Sequence, residues 1–219
     1  MDWNTIAKFS REAFRAAVNE WIGKARIQGG KVSGPSATLT PGSLVSDTNI
    51  EMRVLQSLTS SQVPREISAA LAKILATAWN DWANGFQIQL PKAYPSFVAF
   101  PGPSAPPTRA AVDPPLSQGS STGEASLKAS SLSKKLSSAL RIYATKGQAS
   151  PDQAMNGLAN WVESSFNDWK GLAKLTGILG KGSVPTYAPP YVPVGPVVMG
   201  ENVSVGSLFA GPRFGKVVL

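Results

Sequence analysis

The residues that could do chemistry in this chain are few, and their types exclude more than they offer. The sequence contains no histidine and no cysteine, which removes imidazole and thiolate metal ligands and both the Ser-His-Asp and Cys-His nucleophilic systems. Carboxylate, lysine and tyrosine chemistry remain, with 13 Asp and Glu residues to supply the carboxylates. The acids that recur in one context are Glu20, Asp81 and Asp168. Each stands singly, whereas acid and base catalysis needs two groups converging in one cleft. The stretch Gly177-Ile-Leu-Gly-Lys-Gly-Ser183 has the composition of a phosphate loop but not the Gly-x-x-x-x-Gly-Lys-Ser/Thr spacing, and reads as a turn. No catalytic residue, cofactor site or metal site is expected.

The more informative side chains are aromatic. Tyr94, Phe97 and Phe100 stand among Pro91, Pro95, Pro101 and Pro103, and Tyr187 and Tyr191 among Pro185, Pro189, Pro190, Pro193 and Pro196. Proline fixes φ and withholds a backbone donor, so both stretches are expected to be extended arms that cannot continue a helix. Apolar and preordered, such arms lose little entropy on docking. Tyr94, Phe97, Phe100, Tyr187 and Tyr191 are the candidate partner-binding residues.

The elements that carry these arms show an internal repeat, which has to be sought before any fold is assigned. Trp79-Asn-Asp-Trp82 is matched by Phe166-Asn-Asp-Trp169, and a weaker copy is Val18-Asn-Glu-Trp21; a glycine follows each, at Gly85, Gly171 and Gly23. Trp82 and Trp169 are 87 residues apart, as are Pro64 and Pro151. Each motif ends a segment of helical periodicity. Ile67, Leu71, Ile74, Leu75, Ala78 and Trp82 form one stripe; Met155, Leu158, Val162, Phe166 and Trp169 form another; Ile6, Phe14, Ala17, Val18 and Trp21 form the third. Further helices are expected over about 47–59 and 127–145. Spacing of three between the two aromatics puts both on one helix face, as core.

The fold expected is therefore mainly α: repeated helical hairpins followed by extended Pro-rich arms, with a possible short strand in the C-terminal tail. Residues 1–42 would form a partial first repeat, 43–110 the second, 111–126 a linker rich in proline, serine and glycine, and 127–219 the third repeat with its tail.

A net charge of +8 suits an acidic partner, but Lys134-Lys135 is the only adjacent basic pair, so the charge is spread. The amino terminus lacks a basic stretch leading into an apolar core, and no apolar run approaches the ~20 residues of a membrane span.

The stretch from Trp79 through Pro107, with Tyr94-Pro-Ser-Phe97, Phe100-Pro-Gly-Pro103 and Ala105-Pro-Pro107, resembles a passage in small structural proteins of tailed bacteriophages. The resemblance implies a virion component of the tail, baseplate or neck; the amino terminus, which does not read as a signal, adds the expectation that it is made in the host cytoplasm. Its partners would be other structural proteins of the same particle or further copies of itself, with nucleic acid secondary. The expected function is non-enzymatic assembly. The alternatives are a nucleic-acid-associated packaging protein and an envelope-directed, membrane-active protein anchored by Trp3, Trp21 and the basic first helix.

Overall fold

The computed structural model describes residues 2–94, 102–144, 150–184, 195–204 and 207–215. Within them, the chain forms α1 (Trp3–Lys24), β1 (Arg26–Ser33), β2 (Ser36–Leu39), β3 (Leu44–Val45), α2 (Ile50–Ser60), α3 (Arg65–Gly85) and β4 (Phe86–Leu90). There follow β5 (Ser104–Arg109), β6 (Ser120–Ser121), α4 (Ala129–Leu140), α5 (Asp152–Leu172), β7 (Lys174–Leu175), β8 (Ile178–Ser183), β9 (Gly200–Ser204) and β10 (Phe209–Ala210).

The first two helices start where an N-cap side chain satisfies a free amide. Asp2 accepts from Thr5 N at 2.9 Å, and Asn49 accepts from Met52 N at 3.0 Å. α1 packs on α2, α2 on α3, α3 on α4, α4 on α5 and α5 on α1, so the five helices close a ring.

A mainly α array of helical hairpins with extended arms is not what the chain builds. The segments after the Trp motifs enter a large antiparallel sheet of order β5-β8-β9-β1-β2-β4-β6, with β3 also on β1. β4 shows why: Phe86, Ile88 and Leu90 are buried while Gln87 and Gln89 are exposed, a two-residue period that only a strand satisfies. The stretch 111–126, expected as a linker, contributes β6 and the fully buried Leu116. Strands β9 and β10 lie in the C-terminal region.

The segments that follow the three Trp motifs occupy comparable places in the sheet. After its Trp motif, each unit gives two strands to the sheet: β1 and β2, then β4 and β5, then β8 and β9. The units follow one another around the path, and β4 and β5 of the middle unit stand at opposite ends of the six-strand run. Just beyond them, Ala111 N donates to Ala93 O at 2.9 Å while Ala110 N donates to Ile178 O at 3.0 Å, which brings the two ends together.

Trp79, Trp82, Phe166, Trp169, Trp21 and Val18 are all buried and meet where the three motifs converge. Trp82 lies 6.3 Å from Trp21 and 5.6 Å from Trp169 between ring centroids, and Phe209 bridges Trp169 and Trp21 at 5.2 and 6.4 Å. Removing one such indole from a packed core costs about 3–5 kcal/mol. In two of the three copies a polar position of the motif binds distant chain. Asn19 holds Phe214, and Asp81 accepts from Ser126 Oγ at 2.8 Å.

Candidate functional site

Because every pairing in the sheet is antiparallel, one end of all six main strands adjoins the helices and the other carries the strand connections. At that far end stand Ser33 and Ser36, Leu90 and Ser104, and Ser183 and Gly200. The first connection is a two-residue turn, Gly34-Pro35, closed by the Ser33–Ser36 pair. Gly34 has φ 56°, the sign required at the first central position of hairpin turns, and Pro35 keeps a negative φ at the second, the type II′ combination.

The other two connections contain the Pro-rich stretches. Their described ends are tied to one another and to the first turn. Tyr94 N donates to Pro35 O at 2.9 Å, Gly34 N to Val197 O at 2.6 Å, Val184 N to Pro103 O at 3.0 Å and Val198 N to Ser183 O at 3.3 Å. The described ends of both stretches therefore meet at a single hydrogen-bonded rim.

Tyr94 sits inside. Its ring is fully buried, and its hydroxyl donates to Asn202 Oδ1 at 3.1 Å. Burial raises the phenol above its ordinary value, because the phenolate would be stripped of water. Asn202, also fully buried, donates through Nδ2 to Lys31 O at 3.3 Å and Thr38 O at 3.2 Å. One polar side chain thus joins β9, β1 and β2 to the root of the first arm. A ring buried in this way is an anchor, not the partner contact expected of Tyr94. Phe97, Phe100, Tyr187 and Tyr191 lie outside the described residues.

What the rim exposes was not anticipated from sequence. Met199 is 96% exposed with φ 54°, and Val198 beside it is 37% exposed. A non-glycine residue in left-handed conformation costs about 1 kcal/mol or more. Here the bend returns the chain into β9, whose first residue, Gly200, pairs with Val32. Lys92, on the rim at the foot of the first arm, also has positive φ, at 57°, and is exposed. The sequence signal was Val197-Val-Met-Gly200, an apolar run ending in glycine, although nothing in its spacing marks Met199 as exposed.

Among the described residues there is no group of three or more His, Cys, Asp or Glu side chains placed to hold a metal ion, and no helix is long and apolar enough to cross a membrane. Of the repeated acids, Glu20 pairs with Lys24 and Arg53, and Asp81 accepts from Ser126 Oγ. Comparison with family models, with curated proteins and with solved structures finds no match to this chain, so the rim has to be read from its own chemistry.

Proposed function

We propose that this protein is a non-enzymatic structural component of a larger particle, docking onto neighbouring subunits through the sheet rim opposite the helices. The observation that carries the reading is the joint anchoring of the two Pro-rich aromatic stretches at that rim, beside the exposed Met199 and Val198. An apolar docking element is useful only when its root is rigid, since the binding free energy is otherwise spent on ordering it. The Tyr94–Asn202 bond and the backbone bonds from Gly34, Val184 and Val198 supply that rigidity. The resemblance of Trp79 through Pro107 to structural proteins of tailed bacteriophages makes a phage tail, baseplate or neck the assembly to test.

The test replaces 95–101 and 185–194 by Gly-Ser linkers of equal length. Helix content by circular dichroism is expected to stay within a few per cent of the parent, while incorporation into particles is lost. Normal incorporation of the doubly replaced chain would sink the proposal.

A further inference from the structure

The C-terminal segment 207–215 is the element of the fold that touches the body in the manner of a bound peptide. Two aromatic rings anchor it. Phe209 packs 5.2 Å from Trp169 and 6.4 Å from Trp21, centroid to centroid. Phe214, fully buried, stands 5.8 Å from Phe14 of α1, 5.5 Å from Trp79 of α3 and 5.9 Å from Trp161 of α5. The segment therefore lies along the seam where α1 packs on α5. That seam differs from the rest of the helix ring, because the first unit brings one helix where each of the others brings two.

The polar contacts are equally ligand-like. Asn19 grips the backbone of Phe214 from both sides: Phe214 N donates to Oδ1 at 3.0 Å, and Nδ2 donates to Phe214 O at 3.1 Å. Leu208 N donates to Ala25 O at 3.3 Å, and Thr176 N to Leu208 O at 2.7 Å. Phe209 and Ala210 extend this by pairing with Leu175 and Lys174. Every one of these contacts is made to residues 14–176, and their geometry is indifferent to which molecule supplies the segment. The repeat explains the asparagine. Asn19 occupies the motif position that Asn80 and Asn167 hold in the other units, where the side chain is exposed.

We propose that the α1–α5 seam is a peptide-binding seat for the pattern Leu-Phe-(four residues)-Phe, filled in the isolated chain by its own residues 208–214 and, at high copy density, by the same segment of a second copy. The occupant is a second copy because each copy carries both seat and ligand, with all contacts already matched. The chain's own segment wins in dilute solution, where its effective concentration is on the order of millimolar. Inside an assembly the local concentration of copies reaches that range, and exchange links copies head to tail. This inference does not depend on the rim.

The experiment uses the full-length chain with Phe214→Ala, which weakens its own segment, and a fluorescent peptide spanning 207–215. Saturable binding to this variant is expected, at least tenfold tighter than to the parent, together with no binding of the peptide that itself carries Phe214→Ala. If circular dichroism shows that Phe214→Ala does not fold, Phe209→Ala serves instead, since it weakens the chain's own segment and leaves the seat, Asn19 included, intact. Equal binding to parent and variant, or binding to neither, overturns the seat. The second-copy step is read by incubating tagged and untagged parent chains near millimolar concentration and diluting before capture. Mixed oligomers are expected, and strictly unmixed chains overturn exchange. Neither readout requires a particle, so failure here is distinguishable from failure of the docking rim.

Discussion

Asn202→Leu is the sharpest probe of how the rim is held. The substitution keeps side-chain volume nearly constant, so it tests hydrogen bonding without opening a large cavity. Three bonds disappear, from Tyr94 Oη at 3.1 Å and to the carbonyls of Lys31 and Thr38 at 3.3 and 3.2 Å. Each bond contributes about 1 kcal/mol net, and a buried donor left unpaired costs about 1–3 kcal/mol. The apolar side chain recovers part of this through burial. A loss of about 3 kcal/mol results, which for a chain of this size lowers Tm by roughly 6–12 °C. Urea denaturation followed by circular dichroism measures it. Tyr94→Phe alone removes one hydroxyl and costs about 1 kcal/mol. Because the two side chains share a bond, the double variant should fall short of the sum by about 1 kcal/mol. A loss below about 1 kcal/mol for Asn202→Leu, or strict additivity with Tyr94→Phe, would refute the idea that this network braces the root of the arm.

Alkaline titration gives an independent check on Tyr94. Its phenol is raised in the folded state by burial, so its contribution to stability is complete below the unfolded value near pH 10 and declines above it. The parent should lose up to ~1.4 kcal/mol per pH unit above pH 10 relative to Tyr94→Phe, read as the difference between their urea midpoints. Met199→Gly relieves a left-handed residue and should leave stability unchanged or raise it by about 1 kcal/mol, while weakening capture of the docking partner. Gly123→Ala should be severe, above about 3 kcal/mol by denaturation, because the added Cβ would fall 2.0 Å from Asp81 O. Trp82→Ala, at the point where all three units meet, should cost about 3–5 kcal/mol or abolish folding at 37 °C.

The helices were legible because their signals are local. Apolar residues at three- and four-residue spacing, with Pro64 and Pro151 ahead of them, place helices ending at the Trp motifs, and α3 and α5 are found there. The sheet was not legible, for reasons particular to its strands. β1 contains Gly29 and Gly30, and β8 contains Gly180 and Gly182, so the side-chain alternation that announces a strand is missing. β5 contains Pro106 and Pro107, which argue against a strand; the register with β8 shifts between Ala105 and Thr108, where an irregularity accommodates them. β4 does alternate, but over five residues, and Pro91 makes it read as the start of an arm. Of the candidate site, proline and aromatic composition located the two connections, while burial of Tyr94 depended on Asn202, 108 residues away.

Three copies of one motif in one chain need not have produced one core, and the rings explain why they did. A lone helix ending in apolar-Asn-acid-Trp presents an indole that its own unit cannot cover. Trp82 finds cover in Trp21 from the first unit and Trp169 from the third, and Phe209 spans the remaining gap. Each unit thereby buries its neighbours' aromatic end, and the strands that follow emerge side by side, already in position to pair. The far tips of those strands are built differently in each unit, around the buried Tyr94 and Asn202. One connection is the two-residue turn Gly34-Pro35 and the other two contain the Pro-rich stretches, so the repeated motifs lie in the shared core and the units differ in their connections.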